Sequence, residues 1–196
     1  MASKDATETV LADAAGIARA ARILREGGLV AVPTETVYGL AARADSVQAV
    51  ARIYEAKGRP SFNPLIVHVR DAEQARDFAR FDVAADRVAR ETWPGPLTLV
   101  LPLCEDASLA PAVTAGLASV GLRAPAHPAM RSLLKACDFP LAAPSANRSG
   151  FISPTSAAHV RQSLDGRIDL ILDAGDDACR AGLESTILAI REDGTW

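Results

Sequence analysis

The stretch ADAAGIARAARILREGGLVAVP, from Ala12 to Pro33, decides how the rest of the chain is read. Ile17, Ala20, Ala21 and Leu24 recur at helical spacing, which predicts a helix over Ala12 to Glu26 that Gly27-Gly28 stops. Leu29-Val30-Ala31-Val32 follows as an unbroken apolar run closed by Pro33, the pattern of a short strand buried on both faces. A helix that leads directly into such a strand is a building block of an α/β domain.

The same alternation continues outward. Ser46 is placed to cap a helix through about Ala56, an irregular stretch runs from Lys57 to Pro64, and Leu65 to Val69 reads as a strand. Asp71 opens a helix expected to reach Ala79, and Val83 to Glu91 a further one. Trp93-Pro94-Gly95-Pro96 is a rigid turn before strands at Leu97 to Leu101 and Ser119 to Arg123. Pro128 suits the first turn of a helix to Ala136; Leu141 to Ala143, Ile168 to Leu172 and Ser185 to Ile190 read as strands, and Thr155 to Leu164 as a helix. Several connections are too short for helical crossovers, so the expected fold class is α/β (α+β): a single domain on one twisted, mixed sheet with flanking helices.

At 196 residues with 49% hydrophobic and 23% charged side chains, the chain has the makings of one core and no disordered character. Its longest uncharged run, Ala107 to Leu122, has 16 residues and is broken by Pro111 and Gly116, so no membrane span is expected. The start lacks the pattern of a secretory signal, and a cytoplasmic location is the expectation. Cys104, Cys137 and Cys179 are widely spaced and read as free thiols. A formal net charge of −3 argues against coating nucleic acid, but the charge is uneven. Arg52 to Arg70 holds four basic residues and one acidic, and Ala107 to Arg167 six and two, leaving −10 for the remainder. That asymmetry points to a polyanion held in a basic concave cleft.

Phosphate-loop, dinucleotide, zinc-protease and nucleophile-elbow motifs are absent. Polar residues instead gather in four places. Pro33-Thr34-Glu35-Thr36-Val37-Tyr38-Gly39 leaves a buried strand and presents hydroxyls and a carboxylate, either to a small polar ligand or to its own turn. Lys57-Gly58-Arg59-Pro60-Ser61-Phe62-Asn63-Pro64 carries one of only three lysines beside an arginine, a pair suited to phosphate, ahead of a strand ending near His68. Ser119 to His127 places Arg123 at a strand end, where it can clamp a carboxylate, with His127 as a helix cap. Pro144-Ser145-Ala146-Asn147-Arg148-Ser149-Gly150, with Ser153-Pro154-Thr155, offers small hydroxyls near a helix start, for phosphate or for capping by Ser153 or Thr155.

In this order these clusters resemble the YrdC-like family of L-threonylcarbamoyladenylate synthases. The likeness is carried by PTETVYGL (Pro33 to Leu40), AKGRPSFNPLIVHV (Ala56 to Val69), WPGPLTLVL (Trp93 to Leu101), LRAPAHP (Leu122 to Pro128), APSANRSG (Ala143 to Gly150) and LESTI (Leu183 to Ile187). It implies that ATP, L-threonine and bicarbonate yield L-threonylcarbamoyl-AMP and pyrophosphate, with Mg²⁺ accompanying ATP and no dedicated protein ligand for the metal. The product would pass to the downstream machinery that transfers the threonylcarbamoyl group to tRNA. By the same resemblance Lys57 and Arg59 are the expected catalytic cations. Arg59, Asn63, Ser119, Ser145, Asn147 and Ser153 are expected around ATP, and Thr36, His68, Arg123, the backbone near Ala143, and Ser185 around threonine. The expected domain is the whole chain, 1–196, without a second C-terminal domain. It is expected to stop at Asp193-Gly194-Thr195-Trp196, where members of the family turn into a hairpin whose returning strand brings an arginine and a glycine toward ATP. The alternative reading is an RNA- or tRNA-binding module that uses the basic cleft without making an adenylate.

Overall fold

The computed structural model describes residues 6–175, 179 and 181–189. The chain runs β1 (Glu8–Leu11), α1 (Ala14–Arg25), β2 (Val30–Val32), β3 (Gly39–Arg43), α2 (Val47–Lys57), β4 (Ile66–His68), α3 (Ala72–Ala75), α4 (Val83–Thr92) and β5 (Leu97–Pro102). It continues through α5 (Pro111–Thr114), β6 (Ser119–Arg123), α6 (Pro128–Cys137), β7 (Leu141–Ala142), α7 (Ala157–Leu164), β8 (Leu170–Asp173) and β9 (Thr186–Ala189). The expected strand end at Ile190 and the hairpin turn at Asp193 to Trp196 lie outside the described residues.

All nine strands join one mixed sheet in the order β1-β8-β2-β3-β7-β4-β6-β5-β9. The opening stretch behaves as its pattern implies: Asp13 caps α1 by accepting from the Gly16 N–H, Gly27 turns the chain at a φ of 84°, and β2 is buried along its length. Strand alternation sends Val30, Val32, Ala41, Leu170 and Leu172 to one face, where Ile17 and Leu24 of α1 and Met130, Leu133 and Leu134 of α6 cover them. Ala31, Leu40, Ile171, Val67, Leu99 and Leu122 point to the other face and pack under α2, α4 and α7.

The two faces are therefore not equivalent. One is covered from β8 across to β5, with Leu11 exposed at the β1 edge. The other is roofed by α1 and α6 over β8, β2, β3 and Leu141 of β7, with Val10 of β1 packed at the margin; over β4, β6, β5 and β9 the same face carries Ile66, His68, Gly121, Arg123, Thr98, Val100 and Ile187, which line a cavity.

Several expectations need correction. β1, β3 and α5 escape the periodicity reading. β3 is Gly-Leu-Ala-Ala-Arg, poor in strand formers, and is held by antiparallel pairing to β2 on one side and β7 on the other. The helix opened by Asp71 stops at Ala75 instead of Ala79, because Ala79 forms an antiparallel bridge with Leu103. α7 starts at Ala157, and its cap is Ser156, accepting from the His159 N–H, not Ser153 or Thr155. His127 does cap α6, its Nδ1 accepting from the Ala129 N–H at 3.2 Å. Cys137 and Cys179 are buried and Cys104 partly so, all three as free thiols. No helix among the described residues is long and apolar enough to cross a membrane.

Candidate active site

The cavity over the uncovered half of the sheet encloses about 390 Å³. Its floor is built by β4, β6 and β5, and its walls by the loop after β2, the Arg59 loop, the segment after β7 and the approach to β9. Eight of the residues singled out from sequence line it: Thr36, Arg59, His68, Ser119, Arg123, Ala143, Ser145 and Ser185.

Arg123 is the best-anchored charge in the site, with only 4% of its surface exposed. Its Nε donates to the Gly95 carbonyl at 3.1 Å, Nη1 to Thr36 Oγ1 at 3.0 Å and Nη2 to Glu35 Oε1 at 2.5 Å. A guanidinium has five N–H groups in a planar fork, so this one is fixed by three and keeps one on each terminal nitrogen. Glu35 in turn accepts the His127 N–H on its other oxygen at 3.1 Å. Burial opposes its ionisation, but the charge of Arg123 and the hydrogen bond from it prevail and hold the carboxyl below the ordinary carboxylate range. The sequence pattern offered the Glu35 carboxylate to a small ligand or to its own turn; its partner is instead Arg123, the arginine five residues before α6.

Thr34 and Thr36 divide the two readings of their loop. Thr34 closes the turn by donating to the Val37 carbonyl at 2.7 Å while accepting from the Thr36 N–H at 3.1 Å; Thr36 accepts from Arg123. Ser185 shares a hydrogen bond of 3.0 Å with Thr98, a buried hydroxyl that sequence reasoning passed over because it sits inside an apolar strand.

His68 is buried and its Nδ1 has no partner among the described residues. Burial, reinforced by the nearby positive charge of Arg123, pulls its pKa from 6.5 down to about 3, so the ring is neutral at pH 7. Between those two pH values the unfolded chain binds a proton that the native chain refuses, so stability is fully present above pH 6.5 and is lost as pH falls. The expected slope is about 1.4 kcal/mol per pH unit. Urea midpoints between pH 6.5 and 5, above the carboxylate range, are expected to fall in the wild type and stay flat in His68→Asn; equal slopes would assign the proton elsewhere.

Four expected site residues stand outside the lining. Lys57 is only 2% exposed and donates to the carbonyls of Ser145 at 2.5 Å and Asn147 at 2.6 Å. Burial, aided by Arg59, lowers its pKa to about 8, which leaves the ammonium charged at neutral pH. Lys57 thus braces the 145–147 segment instead of projecting into the cavity. Asn147 is also buried, its Nδ2 donating to the carbonyls of Arg148 and Phe151. Asn63 contributes its carbonyl to Tyr54, and Ser153 donates to Glu184 at 2.7 Å. Glu184 itself lines the cavity and was missed, although it stands within the quoted LESTI motif.

The positive charges of the two basic stretches go to different places. Arg52 pairs with Asp169, Arg70 with Asp138 and Arg161 with Asp165 at the surface, and the charged lining residues are Arg59, Arg123 and Glu184. Local composition counts charges that strand and helix geometry then sends to different faces.

A mixed sheet with one half-open face, floored by a fixed guanidinium, a neutral imidazole and hydroxyls, defines a small-molecule-binding α/β domain. The chain belongs to the Sua5/YciO/YrdC family, whose model, described as Telomere recombination, matches residues 22–195. It is 49% identical over 190 residues to the threonylcarbamoyl-AMP synthase of Bacillus subtilis strain 168, covering 96% of this chain and 54% of that protein. Against the threonylcarbamoyl-AMP synthase of Pyrococcus abyssi it is 49% identical over 174 residues, covering 88% and 50%. The crystal structure of P. abyssi Sua5 complexed with L-threonine matches with a TM-score of 0.86 at 46% identity, over 93% of this chain and 53% of the other. The chain spans about half the length of these relatives.

Proposed function

We propose that this domain makes L-threonylcarbamoyl-AMP and pyrophosphate from ATP, L-threonine and bicarbonate. The observation that carries the reading is Arg123: a buried guanidinium, locked by three hydrogen bonds, with two N–H groups left for a carboxylate. It lies in a family whose P. abyssi member has been crystallised with L-threonine. The amino acid's carboxylate on Arg123 sets its amine over the floor. The unprotonated amine takes up bicarbonate with loss of water to give a carbamate. A carbamate oxygen then forms a bond to the α-phosphorus as the bond to pyrophosphate breaks. Positioning and positive charge on the phosphate oxygens dominate such a transfer, and Arg59 at the cavity wall is placed for that role. No covalent intermediate on the protein is needed.

Magnesium brought in with a nucleotide asks for one or two protein carboxylates at most. The family resemblance carries no dedicated protein ligand for the ion; the carboxylate that the described lining offers is Glu184, exposed on the wall, and the ion would supply charge neutralisation to the triphosphate. The product would be handed to a separate enzyme that transfers its threonylcarbamoyl group to tRNA.

The test is pyrophosphate release with ATP and bicarbonate, with and without L-threonine. Release that requires all three, with equimolar threonylcarbamoyl-AMP in the product, is expected; release indifferent to threonine would overturn the assignment.

A further inference from the structure

The cavity floor has a gap in the middle of a strand. Ser119, Gly121 and Arg123 occupy alternate positions of β6 and all line the cavity. Ile66 on β4 and Val100 on β5 are the register partners of Gly121, so the glycine lies at the centre of an apolar rank between two branched side chains.

Nothing in the fold asks for glycine there. The residue lies within the strand and outside the left-handed region, where glycine would be required. A Cβ at that point would meet Thr98 Cγ2 at 3.5 Å, Ile66 Cγ1 at 3.7 Å and Val100 Cγ2 at 4.0 Å, all ordinary van der Waals separations. Gly39, also on the lining, is different, because a Cβ there would press on Ala143 Cβ at 3.3 Å. Glycine weakens a strand interior by its backbone freedom and its lack of a side chain to pack. Position 121 therefore carries a disadvantage that neither conformation nor packing explains.

What lies above it does explain it. Arg123 is two residues toward one end of the floor and Ser119 two residues toward the other, about 13 Å apart along an extended strand. An amino acid held at Arg123 and a nucleotide held toward Ser119 and Arg59 must meet over residue 121. We infer that Gly121 is a positioning residue, whose missing side chain keeps the floor low where the carbamate oxygen approaches the α-phosphorus. The inference rests on the adenylate-forming reading above. Its physical basis is the narrow geometry of such an approach: reacting atoms must close to about 3–3.5 Å, and a misplacement of about 1 Å lowers the rate about 100-fold.

Gly121→Ala and Gly121→Val test it. Both are expected to fold, with a melting temperature equal to or above that of the wild type, since alanine and valine suit a strand better than glycine. Calorimetric titration is expected to give Kd values for L-threonine alone and for ATP alone within about 3-fold of wild type, because each subsite lies to one side. Pyrophosphate release with all three substrates is expected to fall about 5-fold in the alanine variant and about 100-fold in the valine variant. Wild-type turnover in both variants would overturn the inference, as would a loss of more than about 10-fold in the affinity for either ligand alone, which would place residue 121 inside one subsite. Should valine prevent folding, the alanine variant, whose contacts are ordinary, decides by the same criteria. If the wild type releases no pyrophosphate, it is the adenylate-forming reading that fails. Gly121 is then judged by binding alone: the wild type takes up both ligands together and the valine variant only one at a time. Joint binding by the valine variant would refute the proposal.

Discussion

Arg59→Ala is expected to lower pyrophosphate release about 10³-fold while moving the melting temperature by no more than about 1 °C. The residue follows Gly58, which ends α2 in the left-handed conformation at a φ of 59° and so swings the chain out of the helix and along the cavity wall. Its guanidinium is steadied by the Pro64 carbonyl at 3.1 Å, within its own loop, and it is absent from both buried clusters. Removing it therefore takes nothing from the core and leaves no buried charge unpaired. On the proposed function, what is lost is a cation beside the α-phosphate under attack, the largest single contribution a protein makes to this kind of displacement. Pyrophosphate release under saturating ATP, alongside a thermal melt, separates the two quantities. Turnover within a few-fold of wild type in the folded variant would move the triphosphate away from this wall.

Lys57→Ala is expected to behave differently, although only one residue separates the two. The ammonium sits between the carbonyls of Ser145 and Asn147, and the Lys57 carbonyl accepts the Ser149 N–H at 2.8 Å, so one residue ties down the whole 145–149 turn. Truncation leaves one buried and one partly buried carbonyl without this donor, a loss of about 3 kcal/mol. In a domain of this size that corresponds to a melting temperature lower by about 6–12 °C. Activity is expected to fall as well, because Ser145 and Ala143 on the same segment line the cavity. The sequence reading expected Lys57 as a catalytic cation only; its carbonyl partners give it a structural part as well. An unchanged melting temperature would show that the turn holds itself.

Most of the architecture was legible where burial is two-sided. Leu29 to Val32, Leu97 to Leu101 and Ser119 to Arg123 announce themselves as strands because apolar or alternating patterns reflect which faces are covered, and β6 has the bounds its pattern implies. β3 was hidden because its alanines have little strand character of their own, and the pairing that forms it comes from residues about 10 and 100 positions away. Among the residues that strands aim at the cavity, Arg123 stood out by its type and its place at a strand end, whereas His68 and Ser119 were pointed to only by the family resemblance. Lys57 and Asn147, expected in the site, stand behind its lining, since no local pattern tells an ammonium that meets a ligand from one that meets a carbonyl. Thr98 and Glu184 were overlooked, and Glu35 was offered to a ligand and not to its ion pair, for a related reason. Each takes its meaning from a partner distant in sequence: Arg123, Ser185 and Ser153 respectively.

The ligand floor is the reverse side of the core. On β6, Ser119, Gly121 and Arg123 look into the cavity while Val120 and Leu122 look into the packed interior; on β5, Thr98 and Val100 alternate with Leu99 and Leu101 in the same way. Neighbouring codons thus answer to separate demands. Selection can reshape the bound molecule's surroundings at every second residue without disturbing the packing that secures the strand, and can repack the interior without altering the floor. A single sheet with one half-covered face gives this domain two independently adjustable surfaces in the thickness of one polypeptide layer.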